Sequence, residues 1–276
     1  MRKEISSNWP YIFWLLFYFI IFWMIFGANT QSFIWVFVIY GVSLLFACSP
    51  IAESLWRSVS GVRAIVLESE KKRLLPLFEQ VYSEAIKIDP SLSENIELYI
   101  QEDMEINAFA FGRGTLVLTK GSIELLNDDC LKGLIAHELG HFSHYDTVVL
   151  LFATVGNMFM SLFMKMIRGI TNVLLFIVRN KDSTFTICFR ILYWLINGIY
   201  KTILFFGDLI LMAVSREHEF MADEFAGKCG FGIELAEVLG QIYQVSINTP
   251  NSVIEQLRST HPPLVDRIET LEDALE

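Results

Sequence analysis

The chain has 276 residues, of which 53% are hydrophobic and 14% aromatic while only 19% are charged. That balance is foreign to ordinary water-soluble domains and reads as a membrane protein. A formal net charge of -10, with no basic cluster and no base-stacking module, excludes nucleic acid as a partner. The cysteines Cys48, Cys130, Cys188 and Cys229 are widely spaced without a C-x-x-C pair, so neither a disulfide scaffold nor a cysteine metal site is supported.

From Ile5 to Ala52 there is no Asp, Glu, Lys, Arg or His. The run is too long for one membrane span and suits two, since a crossing takes about 20 apolar residues. Its single polar, turn-forming stretch is Gly27–Ser32, so the spacing predicts a helical hairpin, Pro10–Phe26 and Phe33–Ser49. Trp9, Tyr11, Trp14, Trp23 and Trp35 fall toward the ends of the two helices, as interface aromatics do. Met1-Arg2-Lys3 could open a signal peptide, but the apolar stretch is long, has no small-x-small cleavage site and runs at once into a second span. A retained anchor is expected. Arg2 and Lys3 precede the hairpin, Arg57 and Arg63 follow it, and its loop is uncharged, which puts both ends in the cytoplasm by the positive-inside rule.

Beyond the hairpin (1–52) a second part, 53–146, is polar. Residues 53–90 follow a helical pattern, with Leu74, Leu77, Phe78, Val81 and Tyr82 at three- and four-residue steps. Ile96–Ile100, Glu105–Phe111 and Thr115–Thr119 read as short strands separated by turn residues. Asn127-Asp128-Asp129 then caps a helix, Leu131–Tyr145. A third part, 147–214, holds two further apolar segments, interrupted by Lys165, Arg168, Arg190, Lys201 and Asp208 and joined by the polar turn 179–183. These are expected to be the third and fourth spans, with Lys201 and Asp208 turned into the bundle or a wet cavity, or on the exposed side of a half-buried helix. The last part, 215–276, continues the helix through Arg216–Asp223 and ends in amphipathic helices at 233–245 and 264–275.

The helix at 131–145 carries His137-Glu138-Leu139-Gly140-His141, an H-E-x-x-H pattern. Residues four apart stand one turn above each other, so two imidazoles can aim at one ion. Glu138 sits roughly 100° round from His137 and can act on water beside the metal without ligating it. Catalytic zinc takes three protein ligands and keeps one position open. A third His ten residues after the first is absent, since Thr147 stands there. A Glu on a later helix is the other solution, and Glu219 in Glu219-Phe220-Met221-Ala222-Asp223 fits it. On that helix Glu219, Ala222, Asp223 and Ala226 share one face, which the strip Gly133, Ala136 and Gly140 lets come close. Glu217 points away, and Asp223 is placed to accept the second N–H of a ligand histidine.

With these segments, together with Asn107-Ala108-Phe109-Ala110, Ser215-Arg216 and Ser259-Thr260-His261-Pro262-Pro263 followed by Arg267, the sequence resembles the HtpX family of membrane zinc proteases, related to CAAX prenyl proteases. The resemblance covers most of the chain. It implies a mainly α membrane protein with about four transmembrane helices and a gluzincin-like zinc metalloprotease domain with a small β-sheet. It also implies one zinc per chain on His137, His141 and Glu219, with Glu138 as general base. His261 and Arg267 become oxyanion stabilisers, although His261 reads equally as a residue leading into the last helix. Asn107, Ala108, Phe109 and Ala110 would form the edge strand on which a polypeptide substrate lies. The implied role is an endopeptidase in the lipid bilayer, active site toward the cytoplasm, acting on misfolded membrane proteins. A prenyl-protease-like processing enzyme and a non-catalytic scaffold with a vestigial metal site are the competing readings.

Overall fold

A computed structural model describes residues 9–177, 184–246 and 262–273. The apolar hairpin forms α1 (Trp9–Ile25) and α2 (Thr30–Ala47), followed by α3 (Pro50–Val59), β1 (Val62–Ala64) and α4 (Glu68–Ile88). The strands β2 (Glu97–Gln101), β3 (Ala108–Phe111) and β4 (Thr115–Thr119) come next, then α5 (Lys120–Leu125) and α6 (Asp128–Ser143). Two long helices, α7 (Asp146–Ile177) and α8 (Thr184–Lys228), precede α9 (Gly232–Ser246) and α10 (Leu264–Asp273). The polar turn expected at 179–183 and His261 lie outside the described residues.

The hairpin turns where the sequence permits it. Gly27 and Ala28 take positive φ, and Asn29 then caps α2 by accepting the Ser32 N–H while Ser32 Oγ accepts the Asn29 N–H. Helices α1, α2, α7 and α8 pack together. Trp14, Tyr18, Phe22, Val36, Met160 and Met164 fill the space between them. Two buried polar groups there share one acceptor, since Trp14 Nε1 and Tyr18 Oη both donate to Asn157 Oδ1 at 3.2 and 2.7 Å. The outside of the bundle is apolar as well, with Phe37, Leu45, Phe176 and Trp194 exposed.

Among the described helices, Thr30–Ala47 is long and apolar enough to cross a bilayer, and Ile12–Ile25 is a shorter apolar helix. The expected four spans therefore appear as four packed helices, of which one meets the length and hydropathy of a crossing. On the other two long helices Lys165, Arg168, Arg190 and Lys201 are all exposed. Of the two placements open to Lys201, the structure takes the exposed one.

The sheet has the order β1-β2-β4-β3, with β2 and β4 parallel and the outer pairs antiparallel. Strand β1 falls inside the stretch expected to be helical. Three residues around a charged Arg63 show no alternation that could reveal it, and it is fixed from outside by Arg63 reaching Glu70 and Glu102. Strand β3 is shorter than expected because the backbone of Asn107 is diverted to Ser122 Oγ, which both accepts its N–H and donates to its carbonyl. Leu98, Ile100, Leu116 and Leu118 face a core closed by Leu131, Ile135 and Leu139 of α6 and Leu235 of α9. That core, and not the bundle, holds α6 in place.

Candidate active site

Helix α6 begins where Asn127 Oδ1 accepts the Cys130 N–H at 2.7 Å, with Asp128 and Asp129 in the positive first turn. Small residues set its distance from its neighbours. A Cβ on Gly140 would stand 2.8 Å from the Cα of Ala222 on α8, and one on Gly133 would stand 2.5 Å from the backbone nitrogen of Leu235 on α9. The glycine strip thus serves two partners, α8 at one end and α9 at the other.

This close contact brings His137, His141 and Glu219 together, each offering one ligand atom within 4.8 Å of the others. His137 Nε2 is 3.6 Å from Glu219 Oε2, and His141 Nε2 is 3.7 Å from Glu219 Oε1. Donors sharing a tetrahedral ion at about 2.0–2.1 Å stand roughly 3.3 Å apart, so the set lies a few tenths wider than a metal would draw it. The other ring nitrogens are committed elsewhere. His137 Nδ1 is 2.9 Å from Asp223 Oδ1, and His141 Nδ1 is 3.0 Å from Asp146 Oδ2. An ionised carboxylate only accepts, so each Nδ1 carries a hydrogen and each Nε2 is the atom left for a ligand at the shared centre. The donor chemistry fits a divalent metal ion.

Glu138 is buried on the same helix. Glu217 is exposed, on the side of α8 away from the site. Arg267 of α10 is also buried, and its guanidinium faces two carboxylates: Nε and Nη2 donate to the two Asp223 oxygens at 2.8 and 2.7 Å, while Nη1 lies 2.9 Å from Glu219 Oε2. Burial would raise the Asp223 carboxyl, but the bonds from Arg267 and His137 hold it below its usual range. Burial likewise would lower His141, yet Asp146, Glu219 and Glu138 together raise it to about 9. The surroundings are thus built for positive charge.

Two residues of this network were not singled out in the sequence, Asp146 and His218. Asp146 reads there only as the end of the polar part. It reaches His141 because Tyr145 adopts a left-handed φ of 59°, turning the chain sharply from α6 into α7. Its second oxygen lies 2.8 Å from Nδ1 of buried His218, next to Glu219 on α8. The available signal was an acid five residues after His141, but only a turn that no residue type announces makes it useful. His144, by contrast, is turned back on Gly140 O and stays out of the site.

Strand β3 pairs with β4, no other described strand covers its outer edge, and it lies beside α6. Ala108 and Ala110 face the core, while Phe109 and Phe111 lie on the opposite face against Trp56. Asn107 is exposed at the head of the strand, its side chain accepting the Ala108 N–H.

A protease HtpX homolog of Bacteroides fragilis (strain YCH46) is 29% identical over 265 residues, which is 86% of this chain and 79% of that protein. One from Dictyoglomus turgidum is 27% identical over 201 residues, 63% of this chain and 62% of the relative. Among solved structures, Ste24p of S. mikatae has a TM-score of 0.55 at 19% identity, covering 93% of this chain and 61% of Ste24p. That likeness is one of fold, and the chain spans only about three-fifths of the Dictyoglomus protein and of Ste24p. The profile of Peptidase family M48 matches residues 76–275, a stretch that takes in α6, the later part of α8 and Arg267, and the chain belongs to that family.

Proposed function

We propose that the chain is a zinc-dependent endopeptidase held in a membrane. One observation carries the reading: both ligand imidazoles are tied through Nδ1 to buried carboxylates, leaving both Nε2 atoms converging on Glu219, with a buried Glu next to the first of them. Two imidazoles and one carboxylate are the donor set of catalytic zinc, and His137, His141 and Glu219 would hold one ion. Bound there, zinc supplies a Lewis acid and a water acidified toward neutrality. A structural site has no use for a general base, so Glu138 argues for chemistry over scaffolding.

Glu138 takes the proton of the attacking water on its carboxylate and hands it to the departing amine. Asp223 and Asp146 keep His137 and His141 in the ligating tautomer. Arg267, bound bidentately to Asp223 and beside Glu219, acts as a positioning residue that holds the two carboxylates in place. The open edge of β3, Asn107 to Ala110, offers unpaired backbone groups to an extended polypeptide, which gives sequence-tolerant affinity. The four-helix bundle with its apolar exterior supports four spans, and the charge bias of the hairpin supports a site on the cytoplasmic side. Misfolded membrane proteins are the substrates that such a site would meet.

The test is Glu138→Gln. Hydrolysis of an unfolded polypeptide such as casein should fall by at least about 100-fold, the low end for a positioned acid–base group, with bound zinc unchanged. Near-normal turnover would remove Glu138 from the mechanism.

A further inference from the structure

Helix α3 follows α2 after two residues and carries a carboxylate, Glu53, that is buried. A buried carboxylate is costly unless its oxygens are hydrogen-bonded, and those of Glu53 reach the turn between β3 and β4. Oε1 accepts the backbone N–H of Arg113, and Oε2 accepts the hydroxyl of Thr115 at 3.2 Å. Arg57, one helical turn on, donates to the same Thr115 hydroxyl at 2.7 Å. Gly112, with φ of 64°, lies so close against the carboxylate that a Cβ would collide with it. From the other side Thr147, at the start of α7, donates to the Gly112 carbonyl at 2.7 Å. The turn is therefore gripped through backbone N–H and C=O by segments leading out of and into the bundle.

The same helix supports the strand itself. Trp56 stacks on Phe111 with centroids 4.0 Å apart and meets Phe109 edge-on at 5.7 Å. Arg57 lies over Tyr99 of β2 and reaches Thr115 of β4, so α3 crosses this face of the sheet with Trp56 under the outermost strand. An edge strand has no neighbour on its open side to hold it straight and in register. Here α3 supplies that support from below and Glu53 from the end.

We propose that Glu53 and Trp56 are positioning residues for peptide binding: they fix β3 at the height and register in which its open edge receives a substrate strand. The inference rests on the endopeptidase reading and adds to it where the strand's geometry comes from. Removing Glu53 should loosen the strand without touching Glu138 or the metal ligands. Peptide binding should suffer and the chemical step should not.

The experiment compares Glu53→Ala, Glu53→Gln and Thr147→Val in full-length protein, in detergent. KM and kcat are measured on casein-derived peptides, zinc content by metal analysis, and binding of a fluorescent peptide in a Glu138→Gln background. Glu53→Ala should raise KM and the peptide Kd by about 10-fold, the scale of one charge-assisted hydrogen bond. Its kcat should stay within roughly threefold and its zinc at the parent level. Glu53→Gln, which keeps an acceptor for the Arg113 N–H, should recover most of the binding. Thr147→Val should shift KM in the same direction as Glu53→Ala, and it decides the matter should that variant not fold. Unchanged peptide binding in Thr147→Val and in every folded Glu53 variant overturns the inference, as does a fall in kcat together with loss of zinc. A parent protein that cleaves no peptide overturns the endopeptidase reading itself, whereas active parent and variants with equal KM overturn only the role of α3.

Discussion

Replacing Arg267 with Met should destabilise the metal-free protein far more than the zinc-loaded one. The guanidinium is 4% exposed and makes three contacts of 2.7 to 2.9 Å with Asp223 and Glu219. Removing one partner of such a buried group leaves the carboxylates uncompensated, at about 3–5 kcal/mol. With about 2–4 °C of Tm per kcal/mol for a unit of this size, the melting temperature should drop by roughly 6–20 °C. A divalent ion beside the same carboxylates replaces part of the missing charge, so the drop should be clearly smaller with zinc. The assay is thermal unfolding of detergent-solubilised parent and variant, once with chelator and once with zinc. Arg267→Lys, which keeps the charge and loses the bidentate fork, should fall between. A drop below about 2 °C in chelator would refute the argument. A Lys variant with parental stability and zinc but little turnover would instead put the guanidinium on the substrate.

Asp146→Ala should weaken zinc binding by about 10–100-fold, because His141 loses the acceptor that fixes its tautomer, and a zinc titration of the chelator-stripped protein measures it. Glu219→Ala should lose most of its zinc and Glu217→Ala should keep it, since Glu217 is exposed on the far side of α8. Metal analysis of the two decides, and zinc lost from the Glu217 variant alone would overturn the ligand set. A reporter fused after Arg63 should behave as cytoplasmic and one placed in the Gly27–Ser32 loop as external, and the reverse pattern would move the site across the membrane.

Features that depend on neighbouring residues along one helix could be read from the sequence. The hairpin shows itself through 48 residues without charge, and the H-E-x-x-H helix through its own spacing and the Asn127 cap. Even the contact of α6 with α8 is foreshadowed by small residues, though only Gly140 meets Ala222 while Gly133 turns to α9. Features that depend on a single irregular turn stayed hidden. Strand β1 is too short to show a period, and Asp146 reaches His141 only through the left-handed Tyr145. The orientation of Arg267 was likewise out of reach, because a long side chain on a distant helix can face a substrate or a carboxylate with the same sequence.

The hidden contacts also say what the bundle is for. Asp146 stands at the first residue of α7, whose later turns pack in the bundle, and His218, Glu219 and Asp223 stand on the last turns of α8, which comes from it. Glu53 and Thr147 leave and enter the bundle and hold the turn beside the open strand. Helices α7 and α8 therefore run without a break from the bundle to the residues of the candidate site. They are the struts that bring Glu219 back to the helix of His137 and His141. The end of α8 that carries Glu219 then packs on α6 itself, through Ala222 against Gly140 and through Phe225 and Ala226 in the core.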